Sequence, residues 1–315
     1  MEGQLELLHR YRGGLLGLAV GDALGTTLEF ASPGSFMPIA DMVGGGPFDL
    51  APGQWTDDTS MALCQAESLI ECRGFDARDQ MQRYLRWYRD RHLSSTGRCF
   101  DIGNTVQAAL SAFERSGDPF AGSTDPDSAG NGSLMRLAPV PLAYARHPET
   151  AIRLAGESSR TTHGTAEAVD ACRYFAGLIV GALSGVGKDA LLAPSFCPVP
   201  GLWDREPLAP AVAKVASGSF RRRDPPQIRG AGYVVQSLEA ALWAFDRSGD
   251  FHEGALLAVN LGDDADTTGA IFGQIAGAHY GVQGIPRQWR DRLALRATLR
   301  GYSDLLLTLS EHLHS

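Results

Sequence analysis

The sequence predicts an all-α fold, a single compact domain of many helices, on three observations. Apolar residues recur at helical spacing from one end of the chain to the other. No run shows the period-two alternation, bounded by turns, that marks a strand. Gly13, Gly17, Gly21 and Gly25 fall at every fourth position, laying a smooth stripe on one helix face where a second backbone can approach closely. With 315 residues, 44% of them hydrophobic, the chain has ample material for a core.

The first helix, expected over 4–26, carries the glycine stripe and belongs in the centre. The second, over 59–73, follows from "SMALCQAESLIEC" and its helical apolar spacing. Helices over 76–91 and 103–116 come next, the latter opening on a Gly-Asn pair after Asp101. The glycine-rich turn in "DSAGNGSLMRLAP" leads into 133–146, followed by 148–158, and "SSRTTHGT" precedes 165–184. Further on stand 232–247 and 251–260, then 267–281 from "TTGAIFGQIAGAHYG", and lastly 286–313, broken near Gly301. Loops 31–54, 117–132 and 195–231 are rich in Gly, Pro, Ser and Asp. Helices on both sides of each loop share the same Ala/Leu/Gly character, so 1–315 reads as one domain.

A formal net charge of −8 argues against nonspecific nucleic-acid binding. "FRRRD" (Phe220 to Asp224) is a local basic run that reads as a solvated loop. The N-terminus lacks a signal-peptide pattern, and Asp22 interrupts an apolar stretch too short to span a bilayer, so the expected setting is cytoplasmic with no membrane partner. Five cysteines without metal spacing read as reduced thiols.

The chemistry concentrates in "QWTDDTS" (Gln54 to Ser60) and "LGDDADTTG" (Leu261 to Gly269). Adjacent aspartates in apolar surroundings repel unless something positive lies between them, and neither cluster contains Lys or Arg. Carboxylates and hydroxyls without Cys or His favour a hard divalent ion such as Mg2+ or Mn2+ over zinc. Two facing clusters could hold two ions about 3.5–4 Å apart. The competing explanation is helix capping, since both clusters stand where helices begin. An EF-hand is excluded: counting from Asp264, the twelfth position is Ile275 rather than Glu.

Other segments leave alternatives open. Glu29 closes the first helix in "GDALGTTLEF", either as a catalytic group or as a carboxylate bonded to a neighbouring loop. Asp101 is a candidate for the same chemistry or a helix cap. Asn131 and Ser133 lie by a glycine-rich turn whose N–H groups could take an anion. His163 could cap, contact a ligand or satisfy a buried donor.

In their order along nearly the whole chain, "GDALG…E" at 21–29, "TDDT" at 56–59, "DIGNT" at 101–105, the "GNGSLMR" segment, "SRTTH" at 159–163, "GYVVQSLEAALWAF" at 232–245 and "GDDADTTGA" at 262–270 resemble the ADP-ribosylglycohydrolase family. The resemblance implies an all-α fold with two divalent ions, Mg2+ or Mn2+, cleaving the bond between ADP-ribose and a protein side chain. By motif it assigns Thr56, Asp57, Asp58, Asp264, Asp266 and Thr267 to the metals. It assigns Asp101, Asn131, Gly132, Ser133, Met135 and His163 to the ADP-ribose cleft, and leaves Glu29 and Asp101 to compete as acid/base. The expected partner is an ADP-ribosylated protein, most readily arginine-linked, with ADP-ribose as product. The alternatives are a non-hydrolytic ADP-ribose reader and a dimetal hydrolase of another ADP-ribosyl or nucleotide compound. Asp263 stands where many members have Gly, and either adds a carboxylate beside the metals or points away to cap. Loop 195–231 is shared by few members and is a candidate determinant of which modified protein enters.

Overall fold

The computed structural model describes residues 2–313. In chain order its helices are α1 (Glu2–Gly25), α2 (Asp57–Glu71), α3 (Ala77–Asp90), α4 (Asn104–Ser116), α5 (Pro139–Ala143), α6 (Pro148–Arg160), α7 (Ala166–Leu183) and α8 (Lys188–Leu191). They continue with α9 (Leu202–Arg205), α10 (Pro210–Ala216), α11 (Val234–Arg247), α12 (Phe251–Val259), α13 (Ala265–Gly284), α14 (Arg287–Arg292) and α15 (Arg296–His312). Among the described residues no strand forms beyond isolated bridges. The fold is all-α, as the periodicity predicts.

Two helices make the axis. Every residue from Gly13 to Thr26 and from Ala265 to Ala278 is buried, the mark of helices enclosed on all sides. α1 and α13 touch backbone to backbone: a Cβ on Gly13 would lie 2.0 Å from the Gly277 carbonyl oxygen, on Gly17 2.2 Å from that of Gly273, and on Gly21 1.9 Å from that of Gly269. The pairings 13/277, 17/273 and 21/269 run in opposite directions, so the helices are antiparallel and Gly25 arrives against Ala265 and Asp266. The stripe expected on the first helix thus has a partner stripe on α13. α2 and α15 pack beside α1, α11 packs beside α13, and α7 and α12 touch both.

Two expectations are corrected. The helix expected over 133–146 is a chain of turns followed by the short α5, because Pro139 cannot donate to the Met135 carbonyl as a helix interior requires. Gln274 of α13 satisfies that carbonyl instead, donating from Nε2 to Met135 O at 2.8 Å and Leu134 O at 3.1 Å. The break in the C-terminal helix falls at 293–295, where Leu295 takes φ 47°, and Gly301 is uninterrupted α15. The break accommodates the strand of chain leading into α2: Ala294 N–H donates to Gly53 O at 2.9 Å and Trp55 Nε1 to Ala294 O at 3.3 Å.

Loop 195–231 is built of α9, α10 and a 3-10 turn at Ser219–Arg222. Its basic run is partly ion-paired, Arg221 with Asp246 at 3.0 Å and Arg223 with Glu239 at 3.0 Å. All five cysteines are free thiols, and among the described residues no helix is long and apolar enough to cross a membrane.

Candidate active site

Because α1 and α13 are antiparallel and in contact, the C-terminal end of α1 meets the N-terminal end of α13, and α2 begins beside both. The two acidic clusters, distant in sequence, join here: Thr56 Oγ1 lies 2.9 Å from Asp266 Oδ2, 3.4 Å from Asp58 Oδ2 and 3.0 Å from Asp22 Oδ1. Glu29, Asp264 and Asp266 each bring a carboxylate oxygen within 4.8 Å of the others.

Capping does not account for the clusters. Thr56 and Asp264 occupy the N-cap positions of α2 and α13, yet neither side chain caps its helix. The orphan N–H groups are taken by carboxylates from the α1 segment. Asp22 accepts from the backbone of Thr56 at 2.9 Å and of Thr59 at 3.0 Å. Glu29 Oε2 accepts from Ala265 N–H at 2.9 Å and Asp266 N–H at 3.4 Å. Both helix starts are therefore capped from outside, and the carboxylates of Asp57, Asp58 and Asp264 are left for a role other than capping.

The electrostatics narrow that role. Burial, followed by the charge of Asp266, pushes Glu29, Asp57, Asp58 and Asp264 above the ordinary carboxylate range, Asp264 to about 7. Asp101 is pushed up to about 11 by burial and then by Asp57 and Asp266. Asp58 Oδ1 is buried without a hydrogen-bond partner among the described residues. A set of oxygen donors that repel one another, one of them orphaned in the interior, fits a hard divalent cation.

Above this floor opens a cleft of ≈ 360 Å³ lined by Glu29, Asp57, Asp101, Asn131, Gly132, Met135, His163, Asp264, Asp266 and Thr267 among others. Ten of the thirteen residues singled out from the sequence thus face one cavity. Thr56 and Asp58 lie beneath it. Ser133 is turned away, its hydroxyl accepting from Ser159 Oγ at 2.8 Å and Cys172 Sγ at 3.5 Å, so its side chain does not reach the cleft. Asn131 ties the two walls, its Nδ2 donating to Asp264 Oδ2 at 2.7 Å and to Ser237 Oγ at 2.9 Å.

Behind the glycine turn and His163 stands a buried cation. Arg136, fully buried, donates to Tyr84 Oη at 2.6 Å, to the Gly132 carbonyl, and to Thr162 Oγ1 at 2.9 Å. Since a guanidinium can only donate, the Thr162 hydroxyl proton is left for His163 Nδ1, 2.9 Å away. Burial and Arg136 hold His163 down at about 3, so it is neutral and carries its proton on Nε2, beside Gly130 and Gly132. Arg136, Thr162 and His163 form a donor relay ending at the glycine turn, where a phosphate oxygen is well received.

Asp263 points away from the floor. It sits at φ 55°, a left-handed position that glycine fills most easily, and its Oδ2 pairs with Arg229 at 2.9 Å. It neither joins the cluster nor caps α13. Asp263→Gly relieves backbone strain and removes a half-exposed ion pair worth about 0–1 kcal/mol. The expected result is an unchanged metal affinity with a small shift in melting temperature; a lost metal site in a calorimetric titration would place Asp263 among the ligands.

Three contributors escaped the sequence reading: Asp22, Arg136 and Gln274. Asp22 and Arg136 stand inside quoted motifs, "GDALG" and "GNGSLMR", and a charged residue in an otherwise apolar segment was the available signal.

The class is an all-α protein whose cleft has a multi-carboxylate floor, of a chemistry that fits hard cations, beside a donor-rich glycine turn. The family model for ADP-ribosylglycohydrolase matches residues 4–314, and the chain belongs to that family. It is 45% identical over 290 residues to the ADP-ribosylarginine hydrolase Tri1 of Pseudomonas putida (strain GB-1), covering 92% of this chain and 75% of that protein. To the ADP-ribosyl-[dinitrogen reductase] glycohydrolase of Rhodospirillum rubrum it is 32% identical over 307 residues, covering 96% of each. A solved structure titled an ADP-ribosylglycohydrolase-related protein complex superposes with a TM-score of 0.86 at 47% identity, covering 97% of this chain and 99% of that one.

Proposed function

We propose that this chain is a cytoplasmic, single-domain hydrolase that releases ADP-ribose from modified arginine side chains of proteins, using two divalent ions, Mg2+ or Mn2+, held by Thr56, Asp57, Asp58, Asp264, Asp266 and Thr267. The observation that carries it is the meeting of the two acidic clusters through Thr56 and Asp266 on the cleft floor. The 45% identity to a protein named for arginine-linked hydrolysis supports the choice of linkage.

Ions bound at the floor supply Lewis acidity and a template for ribose hydroxyls. The N–H groups around Gly130 to Gly132, with His163 Nε2–H, bind the diphosphate and fix the ribose over the floor. Glu29 Oε2 caps the first turn of α13 and so orients Asp264 and Asp266. Asp101 lines the same cleft as Asp57, outside the proposed ligand set, and is the carboxyl placed to pass a proton to the departing guanidine nitrogen.

The test is release of ADP-ribose from arginine- and serine-modified substrates with Mg2+, Mn2+ or EDTA. The expected result is metal-dependent release from the arginine linkage and none in EDTA. AMP in place of ADP-ribose would mean phosphoester cleavage, and tight ADP-ribose binding without release from either linkage would mean a reader.

A further inference from the structure

We infer that Asp22 is the positioning residue of the metal-binding floor, setting the direction of the Thr56 hydroxyl and the pose of the first turn of α2, and through them the affinity for divalent ions. This rests on the metal-dependent reading above.

Asp22 is fully buried on α1 and is not among the residues lining the cleft. Both of its oxygens are fully used. Oδ1 accepts from Thr56 N–H at 2.9 Å and Thr56 Oγ1 at 3.0 Å; Oδ2 accepts from Thr59 N–H at 3.0 Å and Thr59 Oγ1 at 2.6 Å.

The Thr56 hydroxyl has one proton and three carboxylate neighbours, those of Asp22, Asp58 and Asp266. Donated to Asp22, that proton leaves the oxygen lone pairs directed at the Asp58 and Asp266 side, where a cation would sit. Donated to Asp266, it would occupy a carboxylate oxygen that a cation needs. The two backbone N–H groups cannot reverse their sense, so the residue at 22 must present an acceptor on both arms. An amide cannot: one arm becomes NH2 and meets an N–H or a hydroxyl already committed. Gly21, the neighbouring residue, presses on Gly269, which fixes Asp22 rigidly relative to α13.

The experiment is a Mn2+ titration followed by the electron paramagnetic resonance signal of the free ion, on wild type, Asp22→Asn, Thr59→Val and Thr59→Ser, with folding checked by circular dichroism. Asp22→Asn is expected to weaken Mn2+ binding about 10–100-fold, as loss of a partner that orients ligands does. Thr59→Val should weaken it several-fold, and Thr59→Ser, which restores the hydroxyl, should return the wild-type value. A folded Asp22→Asn protein with wild-type Mn2+ affinity overturns the inference. Should that variant fail to fold, equal affinities for Thr59→Val and Thr59→Ser overturn it. A wild-type protein that binds no Mn2+ overturns the metal reading and this inference together, whereas unchanged variants of a wild type that does bind it overturn this inference alone.

Discussion

Asp266→Ala is expected to abolish both turnover and metal binding, with opposite effects on stability in EDTA and in metal. Asp266 is buried, its Oδ2 lying 2.9 Å from Thr56 Oγ1 and its Oδ1 accepting from Thr267 N–H at 2.7 Å. Among the charges acting on Glu29, Asp57, Asp58 and Asp264, its own is the foremost in each case. It is the electrostatic centre of the floor and, with Thr56, joins the two clusters. Lewis-acid stabilisation is worth several kcal/mol, so its loss costs turnover on the order of 10³-fold or more. In EDTA the same substitution removes repulsion from a crowded acidic site, so the variant should melt no lower than wild type. With Mn2+ the wild type gains stability by linkage, about 2.7 kcal/mol at an ion concentration 100 times Kd, and the variant does not. Calorimetric melting in the two buffers, read beside ADP-ribose release, checks this. A variant that retains turnover, or melts much lower in EDTA, would mean that Asp266 holds up the fold instead of serving an ion.

The sign reversal also explains which parts of this site the sequence could disclose. Asp57, Asp58, Asp264 and Asp266 are legible because acidic pairs without a local counter-charge make no sense as structure, whatever they face. Asp22 is equally acidic and equally buried, but its meaning lies in N–H groups 34 and 37 positions further along the chain, and nothing local names them. Glu29 stays open in the sequence between catalysis and bonding to a neighbouring segment for the same reason; its partners are 236 and 237 positions away. Ser133 is assigned to the cleft by resemblance alone; its hydroxyl turns inward to Ser159 and Cys172, 26 and 39 positions away, which nothing local in the sequence names. Helix existence was readable almost throughout because burial imposes its period on composition. Helix ends were not, because Leu295 leaves the helix to make room for Gly53, a neighbour known only in three dimensions. The glycine stripe at 13, 17, 21 and 25 was readable as a face awaiting a backbone. Its partner at 269, 273 and 277 has the same period and would have named the pairing.

That pairing makes Gly21→Ala the other large effect. A Cβ at this position would stand 1.9 Å from the Gly269 carbonyl oxygen and 2.9 Å from Ala270 N, both backbone atoms that no rotamer change can move aside. The only relief is separation of α1 from α13, which also opens the contacts at Gly17 and Gly25. Inserting a methyl into a packed core costs about 1–3 kcal/mol even where side chains can adjust. Here the loss should reach or exceed the top of that range, a fall in melting temperature of about 6–12 °C at about 2–4 °C per kcal/mol. Gly301→Ala is the matched comparison: the same substitution in α15, where a Cβ meets nothing within 4 Å, should gain up to about 1 kcal/mol from helix propensity. Since Asp22 and Glu29, which cap α2 and α13, follow the glycine contact on the same segment, Gly21→Ala should also weaken Mn2+ binding in the protein that remains folded, and Gly301→Ala should not. Equal melting temperatures for the two variants would mean that the α1–α13 interface yields without cost, and the positions of both caps would then need another cause.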